Sequence, residues 1–384
     1  MNLKKYLLPL LCFILLFSLT VACRNSDDLP DDDDAHDSHL HGYNLDAAMA
    51  FFAPDTVILS AGDALITWAE FYVFLHNAVS QLTYGFSVEL DWDDEFMPEV
   101  SFSEGILDYA KEHVLELLVF EYATSLLGVS LSQEDLDLIQ DDFDNMVANT
   151  ESPDTLEDEL RENGFMSFEV FKKLREREFL PLLLLTTLYG EELSDIPDDV
   201  VADFAEENDF MRAKHILLAF LREEDGHSLQ EIDEHKLELR DRMDSILNRL
   251  VERYEDDDFL EFFDELMWEY NEDPGMFASP DGYLFQPGDM VAPFSEACAA
   301  LLPGQISSVV VTSYGYHILL RLPLNYDEVP FSMVYAGYDY SLRMLAIIDD
   351  FEYRMDMWRE SMNVDFSGQF NSIKLSDIFV WNGY

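Results

Sequence analysis

The sequence predicts an α+β fold in which a mixed β-α-β domain is inserted into a mainly α-helical domain. Residues 212–218 and 314–320 each place one histidine within a run of apolar, β-prone side chains, a pattern typical of buried strands. The chain before and after this region has apolar residues at helical spacing instead. Two helical parts that flank a mixed part indicate an insertion.

The chain has 384 residues and a formal net charge of −57. This length is too great for one small core, so we expect two or more domains. A negative charge of this size excludes nucleic acid as a partner, because the phosphates would be repelled. It also argues against docking on an anionic membrane by charge alone.

Residues 1–22 have the features of an export signal. Lys4 and Lys5 form a basic start, and residues 6–19 form an apolar stretch that is short for a membrane span. Small residues then precede Cys23, an arrangement that resembles the signal of bacterial lipoproteins, in which the cysteine carries lipid. The resemblance implies an extracytoplasmic protein, lipid-anchored through Cys23 to the outer face of the bacterial cell membrane. An ordinary secretion signal with an incidental cysteine is the alternative.

Residues 23–54 are predicted to be an acidic linker, because closely spaced aspartates repel one another and keep the segment extended. His36, His39 and His41 follow among these aspartates. They could bind a metal ion, but a solvated tether is the preferred interpretation. With no second cysteine available beyond the signal and lipid positions, Cys298 is interpreted as core packing and no intrachain disulfide is expected.

Residues 55–205 are predicted to form the N-terminal part of the helical domain. A strand pair is expected at 57–66, around an Ala-Gly-Asp turn. Thr67 and Glu70 then have the spacing of a capping box, and an apolar helical stripe follows them. Further helices are expected at 103–128, 132–149 and 167–189.

Residues 206–325 are predicted to form the mixed domain. Its expected elements are a strand at 211–220, a helix that starts at Ser228, a helix at 258–269, a loop rich in Pro and Gly, a helix at 292–302, and strands at 306–312 and 316–322. Residues 326–384 return to helix, with an apolar stripe from Met344 to Trp358 that needs a partner surface. We therefore expect this tail to pack on the N-terminal helical domain.

Four stretches of the mixed domain carry a family resemblance: AKHIL at 213–217, YNEDP at 270–274, FQPGDMVAPF at 285–294 and YGYHI at 314–318. In this order they resemble a parvulin-type peptidyl-prolyl isomerase over residues 208–323. The helical parts resemble, by layout, the chaperone portion of exported foldases of the PrsA and SurA type. The resemblance implies a parvulin-like β-α-β domain inserted in a chaperone-like helical domain.

The resemblance also implies roles for single residues. His215 and His317 match the paired histidines of the family, Asp273 stands where the family carries a cysteine or aspartate, and Thr312 adds a hydroxyl. Phe285, Met290 and Phe294 match the proline pocket. The alternative for these three is core packing alone, and the alternative for Asp273 is capping of a turn before Pro274.

The chemistry implied needs no metal or cofactor. An X-Pro bond has two isomers of similar energy, separated by a barrier of roughly 18–20 kcal/mol. A site that favours the twisted amide requires an apolar pocket for the ring and a few fixed polar groups near the carbonyl.

One departure from the family pattern concerns the segment before Phe285. Family members often carry Gly-Gly-Asp-Leu-Gly there, whereas this chain has SPDGYL at 279–284. The pocket leucine is then either replaced by Gly282 or shifted to Leu284. This departure puts one wall of the pocket in doubt.

Three hypotheses about function follow. The first is a lipid-anchored foldase that isomerises X-Pro bonds in unfolded or newly exported proteins. The second is a non-catalytic holdase whose parvulin domain only binds peptides. The third, a metal-dependent hydrolase that uses His36, His39 and His41, has little support, because no helical His motif with a glutamate accompanies them. Nothing in the sequence favours one oligomeric state over another.

Overall fold

The structure, a computed structural model, describes residues 45–83, 90–150 and 153–380. The chain forms two compact units. Unit 1 comprises the chain up to Glu192 and again from Phe351, and unit 2 is Leu193–Asp350. The predicted export signal, the lipidation site Cys23 and the three linker histidines lie outside the described residues.

The elements are numbered here in chain order. Those before residue 192 are α1 Leu45–Phe51, β1 Val57–Ala61, β2 Ala64–Thr67, α2 Trp68–Thr83, β3 Glu95–Met97, β4 Val100–Ser101, α3 Phe102–Leu127, α4 Gln133–Asn149, α5 Pro153–Glu162, α6 Phe168–Glu178 and α7 Leu180–Tyr189. Those that follow, up to the end of unit 2, are α8 Asp198–Glu207, β5 Met211–Ala219, α9 Leu229–Glu252, α10 Phe259–Tyr270, α11 Pro274–Ala278, β6 Tyr283–Phe285, α12 Ala292–Ala299, β7 Val310–Val311, β8 Gly315–Leu322 and α13 Phe331–Ala336. The chain ends with α14 Leu342–Ser361, β9 Val364–Phe366 and α15 Leu375–Ile378.

Unit 1 is mainly helical around a small antiparallel sheet of order β2-β1-β9. Helix α2 begins where predicted, and a carboxylate oxygen of Glu70 accepts the backbone N–H of Thr67 at 2.7 Å. Helix α3 begins at a capping box of Ser101 and Glu104 and ends at Gly128 in the left-handed conformation. The predicted strand pair is confirmed, because β1 and β2 pair antiparallel.

Two sequence predictions for unit 1 need correction. Residues 45–51, predicted to be the end of an acidic linker, form helix α1, because the indole N–H of Trp68 donates to the carbonyl of Ala48 at 2.8 Å and Ala48 is buried. The segment 167–189 is two helices, because α6 ends at Glu178 and Pro181 lies in the first turn of α7.

Unit 2 contains a four-stranded antiparallel sheet of order β6-β5-β8-β7. In the β5–β8 ladder, His215 is opposite Leu319 and His317 is opposite Leu217. Paired residues project to the same face of a sheet, and alternate residues of a strand share a face. Both histidines therefore lie on one face, which helix α12 contacts.

The other face of this sheet is covered by α9 and α10. Helix α9 begins with the predicted capping box of Ser228 and Glu231, and it buries Met243, Ile246 and Leu250. The predicted strand 306–312 is shorter in the structure, where only Val310–Val311 pairs in β7 and Ile306 makes an isolated bridge to Leu320. Among the helices that the structure describes, none is long and apolar enough to cross a membrane.

Candidate active site

The two histidines form a compact aromatic group on the floor of the sheet. The rings of His215 and His317 have centroids 5.3 Å apart in an edge-to-face arrangement. The ring of Phe294, from α12, lies 5.2 Å from His215 and 5.7 Å from His317. Both histidines are only 4% exposed, so the group is fixed by packing on all sides.

A side-chain amide sets the position of Asp273. Asn271, which is buried, accepts the backbone N–H of Leu217 through Oδ1 at 2.8 Å and donates from Nδ2 to the carbonyl of Asp273 at 3.0 Å. This amide therefore joins strand β5 to the loop that follows α10. Asp273 then caps α11, because its Oδ1 accepts the N–H of Gly275 at 3.1 Å.

Asp273 lies beside His215 and is held as a carboxylate. Its Oδ2 is 3.2 Å from Nε2 of His215, an ion-pair distance, and it accepts the hydroxyl of Tyr283 at 2.9 Å. Burial opposes ionisation of this carboxyl. The contact with His215, the Tyr283 hydroxyl and the Gly275 N–H outweigh burial and lower the pKa of Asp273 from 3.8 to about 2.

His317 is held neutral by its surroundings. Burial, and then the nearby charge of His215, lower the pKa of His317 from 6.5 to about 3, against the opposite effect of Asp273. Its Nε2 is 2.8 Å from the hydroxyl of Thr312, which accepts the N–H of Tyr314 at 3.0 Å. The hydroxyl proton is thus available to Nε2, and Thr312 donates to Nε2 of the neutral His317 ring.

The predicted pocket residues differ in accessibility. Phe285 is fully buried and Phe294 is 3% exposed, with their ring centroids 5.6 Å apart. Met290 is half-buried and packs against the same core. Phe285 and Phe294 therefore form a buried floor, and Met290 is the side chain of this trio that keeps appreciable exposed surface.

Leu284, predicted to line the pocket, is not brought to this group. In the β5–β6 ladder it is opposite Arg212, whereas Phe285 is opposite Met211 and Tyr283 is opposite Ala213. Alternation places Tyr283 and Phe285 on the face of His215 and places Leu284 on the other face. In the part of the chain that the structure describes, no group of three or more His, Cys, Asp or Glu side chains is arranged to hold a metal ion.

The segment that carries this face matches a family model. Residues 201–320 match the PPIC-type peptidyl-prolyl isomerase domain, a range that includes both histidines, Asp273 and the pocket residues. Residues 201–320 therefore form a PPIC-type peptidyl-prolyl isomerase domain, here called the parvulin domain.

Two relatives of the parvulin-domain chain are foldases. It is 27% identical over 236 residues to the foldase protein PrsA of Halalkalibacterium halodurans, a match that covers 61% of this chain and 63% of the relative. It is 49% identical over 61 residues to the foldase protein PrsA of Geobacillus kaustophilus, over 15% of this chain and 21% of the relative. The chain spans less than two thirds of the length of these relatives.

A solved structure with similarity to this chain is the peptidylprolyl isomerase PrsA from Bacillus cereus. It is 17% identical, covers 73% of this chain and 96% of its own, and has a TM-score of 0.32.

The parvulin domain departs from the family pattern at Gly282, and the structure gives the reason. Gly282 has a φ of +111°, and a Cβ there would lie 2.9 Å from Cδ1 of Leu322 and 3.1 Å from the carbonyl of Ala213. A leucine at this position is excluded by both the backbone conformation and the space.

Two residues of the parvulin site, Asn271 and Tyr283, were not predicted from the sequence. Asn271 lay within a stretch that carries the family resemblance, but its two hydrogen bonds depend on how close the loop comes to β5. Tyr283 lies in the segment 279–284, which departs from the family pattern. Its presence in place of a small residue was the one feature of the sequence that pointed to it. Its hydrogen bond to Asp273 became visible only with the sheet register.

Proposed function

We propose that the parvulin domain catalyses cis–trans isomerisation of X-Pro bonds in unfolded, newly exported proteins. The observation that supports this proposal best is an ionised, partly exposed carboxylate beside an aromatic group. Asp273 has 24% of its side chain exposed, and its Oδ2 is 3.2 Å from Nε2 of His215, whose ring lies 5.2 Å from that of Phe294. Met290, which packs against the core of the same domain, is half-buried and adds apolar surface. A fixed polar group beside an apolar surface is what a twisted X-Pro amide requires.

In this proposal the residues have separate roles. Met290, above the floor of Phe285 and Phe294, contacts the pyrrolidine ring. Asp273 lies near the rotating carbonyl and acts as a polar group, without forming a covalent intermediate. His215 and His317 hold the site in order, with Thr312 donating to His317, and no step needs a metal or cofactor.

We also propose that the chain works outside the cytoplasm. The basic start, the apolar stretch and the small residues before Cys23 support lipid attachment at that cysteine. The acidic surface would then face exported clients and attract basic segments in a salt-dependent manner. In a bacterial host, the Cys23→Ala variant is expected to leave the membrane fraction and lose incorporation of labelled fatty acid. Unchanged labelling would contradict the proposal.

A second candidate function is a holdase whose parvulin domain binds peptides without catalysis. The burial of Phe285 and Phe294 favours it, because neither ring offers open surface to a proline. The loss of the family leucine at Gly282 points the same way. The two candidates differ in whether changes at the site alter isomerisation or only binding.

The decisive experiment is isomerisation of a chromogenic X-Pro peptide by the full chain. Asp273→Asn and Met290→Ala are each expected to lower kcat/KM at least tenfold, because they remove the polar group and the apolar contact. Matched controls are Asp257→Asn and Met357→Ala, at exposed positions outside the site, which should retain activity. A folded wild-type chain with no rate above background, together with intact suppression of aggregation, would leave the holdase as the function.

A further inference from the structure

Tyr283 lies at the centre of the site and belongs to the segment 279–284, which departs from the family pattern. Its hydroxyl donates to Oδ2 of Asp273 at 2.9 Å, and Nε2 of His215 contacts the same oxygen at 3.2 Å. The ring is 8% exposed, and its centroid is 6.0 Å from that of His215. One carboxylate oxygen is thus held by a phenol from β6 and an imidazole from β5.

We propose that Tyr283 is a positioning residue of the isomerase site, which holds the Asp273 carboxylate in place as a hydrogen-bond acceptor. The inference rests on the proposed function. When Gly282 is aligned with the family leucine, Tyr283 replaces the glycine that follows it. The departure at 279–284 therefore removes one pocket wall and adds a hydroxyl to the polar part of the site.

Gly275 is an independent observation in favour of this role. A Cβ at Gly275 would lie 2.3 Å from the hydroxyl oxygen of Tyr283 and 3.4 Å from its Cζ. The hydroxyl can therefore reach Asp273 only because residue 275 has no side chain. The N–H of Gly275 donates to the other oxygen of the same carboxylate, so the loop and the tyrosine are adapted to each other.

A segment beyond the family match supports the tyrosine ring. Phe331, the first residue of α13, packs edge-to-face on Tyr283 with centroids 5.3 Å apart. Nearby in sequence, Glu328 pairs with Arg212 of β5 at 2.5 Å. Because the family match ends at residue 320, these supports belong to this chain's own extension of unit 2. The test must therefore use the full chain.

The groups around Asp273 determine in which direction its pKa changes when the Tyr283 hydroxyl is removed. His215 faces it from β5, Tyr283 from β6 and the Gly275 N–H from α11, while His317 of β8 lies behind His215. A hydroxyl that donates to a carboxylate stabilises the ionised form. Its removal is expected to raise the pKa of Asp273, which burial already pushes upward.

The test is Tyr283→Phe in the full chain, which keeps the ring against Phe331 and removes only the hydroxyl. The Asp273 carboxyl, followed by ¹³C NMR, is expected to titrate at a higher pH than in the wild type. The acid limb of the isomerisation pH profile is expected to move in the same direction, with kcat about tenfold lower and KM little changed. Tyr353→Phe, an exposed tyrosine of unit 1, is the matched control.

Gly275→Ala provides a second route to the same effect. Its Cβ displaces the hydroxyl, so it should shift the Asp273 titration as Tyr283→Phe does. Added to Tyr283→Phe, the same change should have little further effect, because the phenyl ring lacks the clashing oxygen. An unchanged Asp273 titration and pH profile in both single variants overturns the inference even if the wild type is an active isomerase. If the wild type is inactive, the proposed function fails, and the carboxyl titration still decides the role of Tyr283.

Discussion

One buried imidazole in each unit, His317 in unit 2 and His76 in unit 1, is held in its neutral form by its environment. In unit 2, His317 is kept neutral by burial and by the charge of its neighbour. In unit 1, His76 is 7% exposed and burial lowers its pKa from 6.5 to about 4. The ordinary imidazole pKa therefore applies only after unfolding, which links the stability of each unit to pH.

The sign of this linkage is fixed for His76. Below about pH 6.5 the unfolded chain binds a proton that the folded unit does not, so stability falls as the pH drops towards 4 and then levels off. The loss amounts to roughly 3 kcal/mol in total. Hydrogen exchange of α2 amides in urea, at about pH 7 and about pH 5, measures it.

His76→Phe removes the proton site and is expected to flatten this pH dependence in unit 1. His227→Gln, a loss of an imidazole in the loop before α9, should leave the pH dependence of unit 1 unchanged. If the stability of unit 1 changes with pH equally steeply in the wild type and in His76→Phe, a group other than His76 causes the pH dependence.

The role of Tyr283 illustrates what residue patterns cannot predict. The family resemblance identified His215, His317 and Asp273 because their spacing along the chain is distinctive. The Tyr283 hydroxyl matters only because Gly275 leaves space for it, and that space depends on the path of the backbone. Leu284 was predicted to line the pocket, because the sequence alone does not show which face of β6 it occupies. The β5–β6 register places it on the face away from His215.

At the level of elements, the central strands were predictable and the short ones were not. Strands β5 and β8 have long apolar runs, and the structure places them within one residue of expectation at each end. Strands β6 and β9 have three residues each, too few for a period to be recognised. Their existence depends on the partner strands, which sequence does not reveal.

At Gly315, β8 comes too close to β5 to leave room for a side chain. Gly315 is opposite Ala219, and a Cβ there would lie 2.1 Å from the carbonyl oxygen of Leu218. Because this oxygen belongs to the backbone, the ladder itself would have to move.

Gly315→Ala is therefore expected to destabilise unit 2 by more than about 2 kcal/mol. The control is Gly288→Ala, since a Cβ at Gly288 would meet no atom within 4 Å. The stability of unit 2 in the two variants is compared by hydrogen exchange of the β5 and β8 amides as the urea concentration is raised. A Gly315→Ala variant as stable as the control would contradict this prediction, because it would show that β5 and β8 can move apart without loss of stability.

For the whole molecule, acidity is the dominant property. Lys and Arg number 22 against 79 Asp and Glu. Several of these few cations are engaged in ion pairs, among them Arg177 with Glu70, Lys214 with Asp264 and Arg343 with Asp327. The sequence predicted this surface directly from composition. The sequence does not predict which Lys and Arg side chains form ion pairs within the units, because those pairs join residues that are distant in sequence.

The pairing of β9 with β1 has a consequence for biosynthesis. Leu59 is opposite Phe366, so the sheet of unit 1 acquires its third strand only after all of unit 2 has been made. Unit 2 is continuous in sequence and has all its strands earlier. When the chain is made from its N-terminus onward, unit 2 can thus reach its final fold while β1 of unit 1 still has an unpaired edge. A protein proposed to assist the folding of other chains is itself, for that interval, incompletely folded.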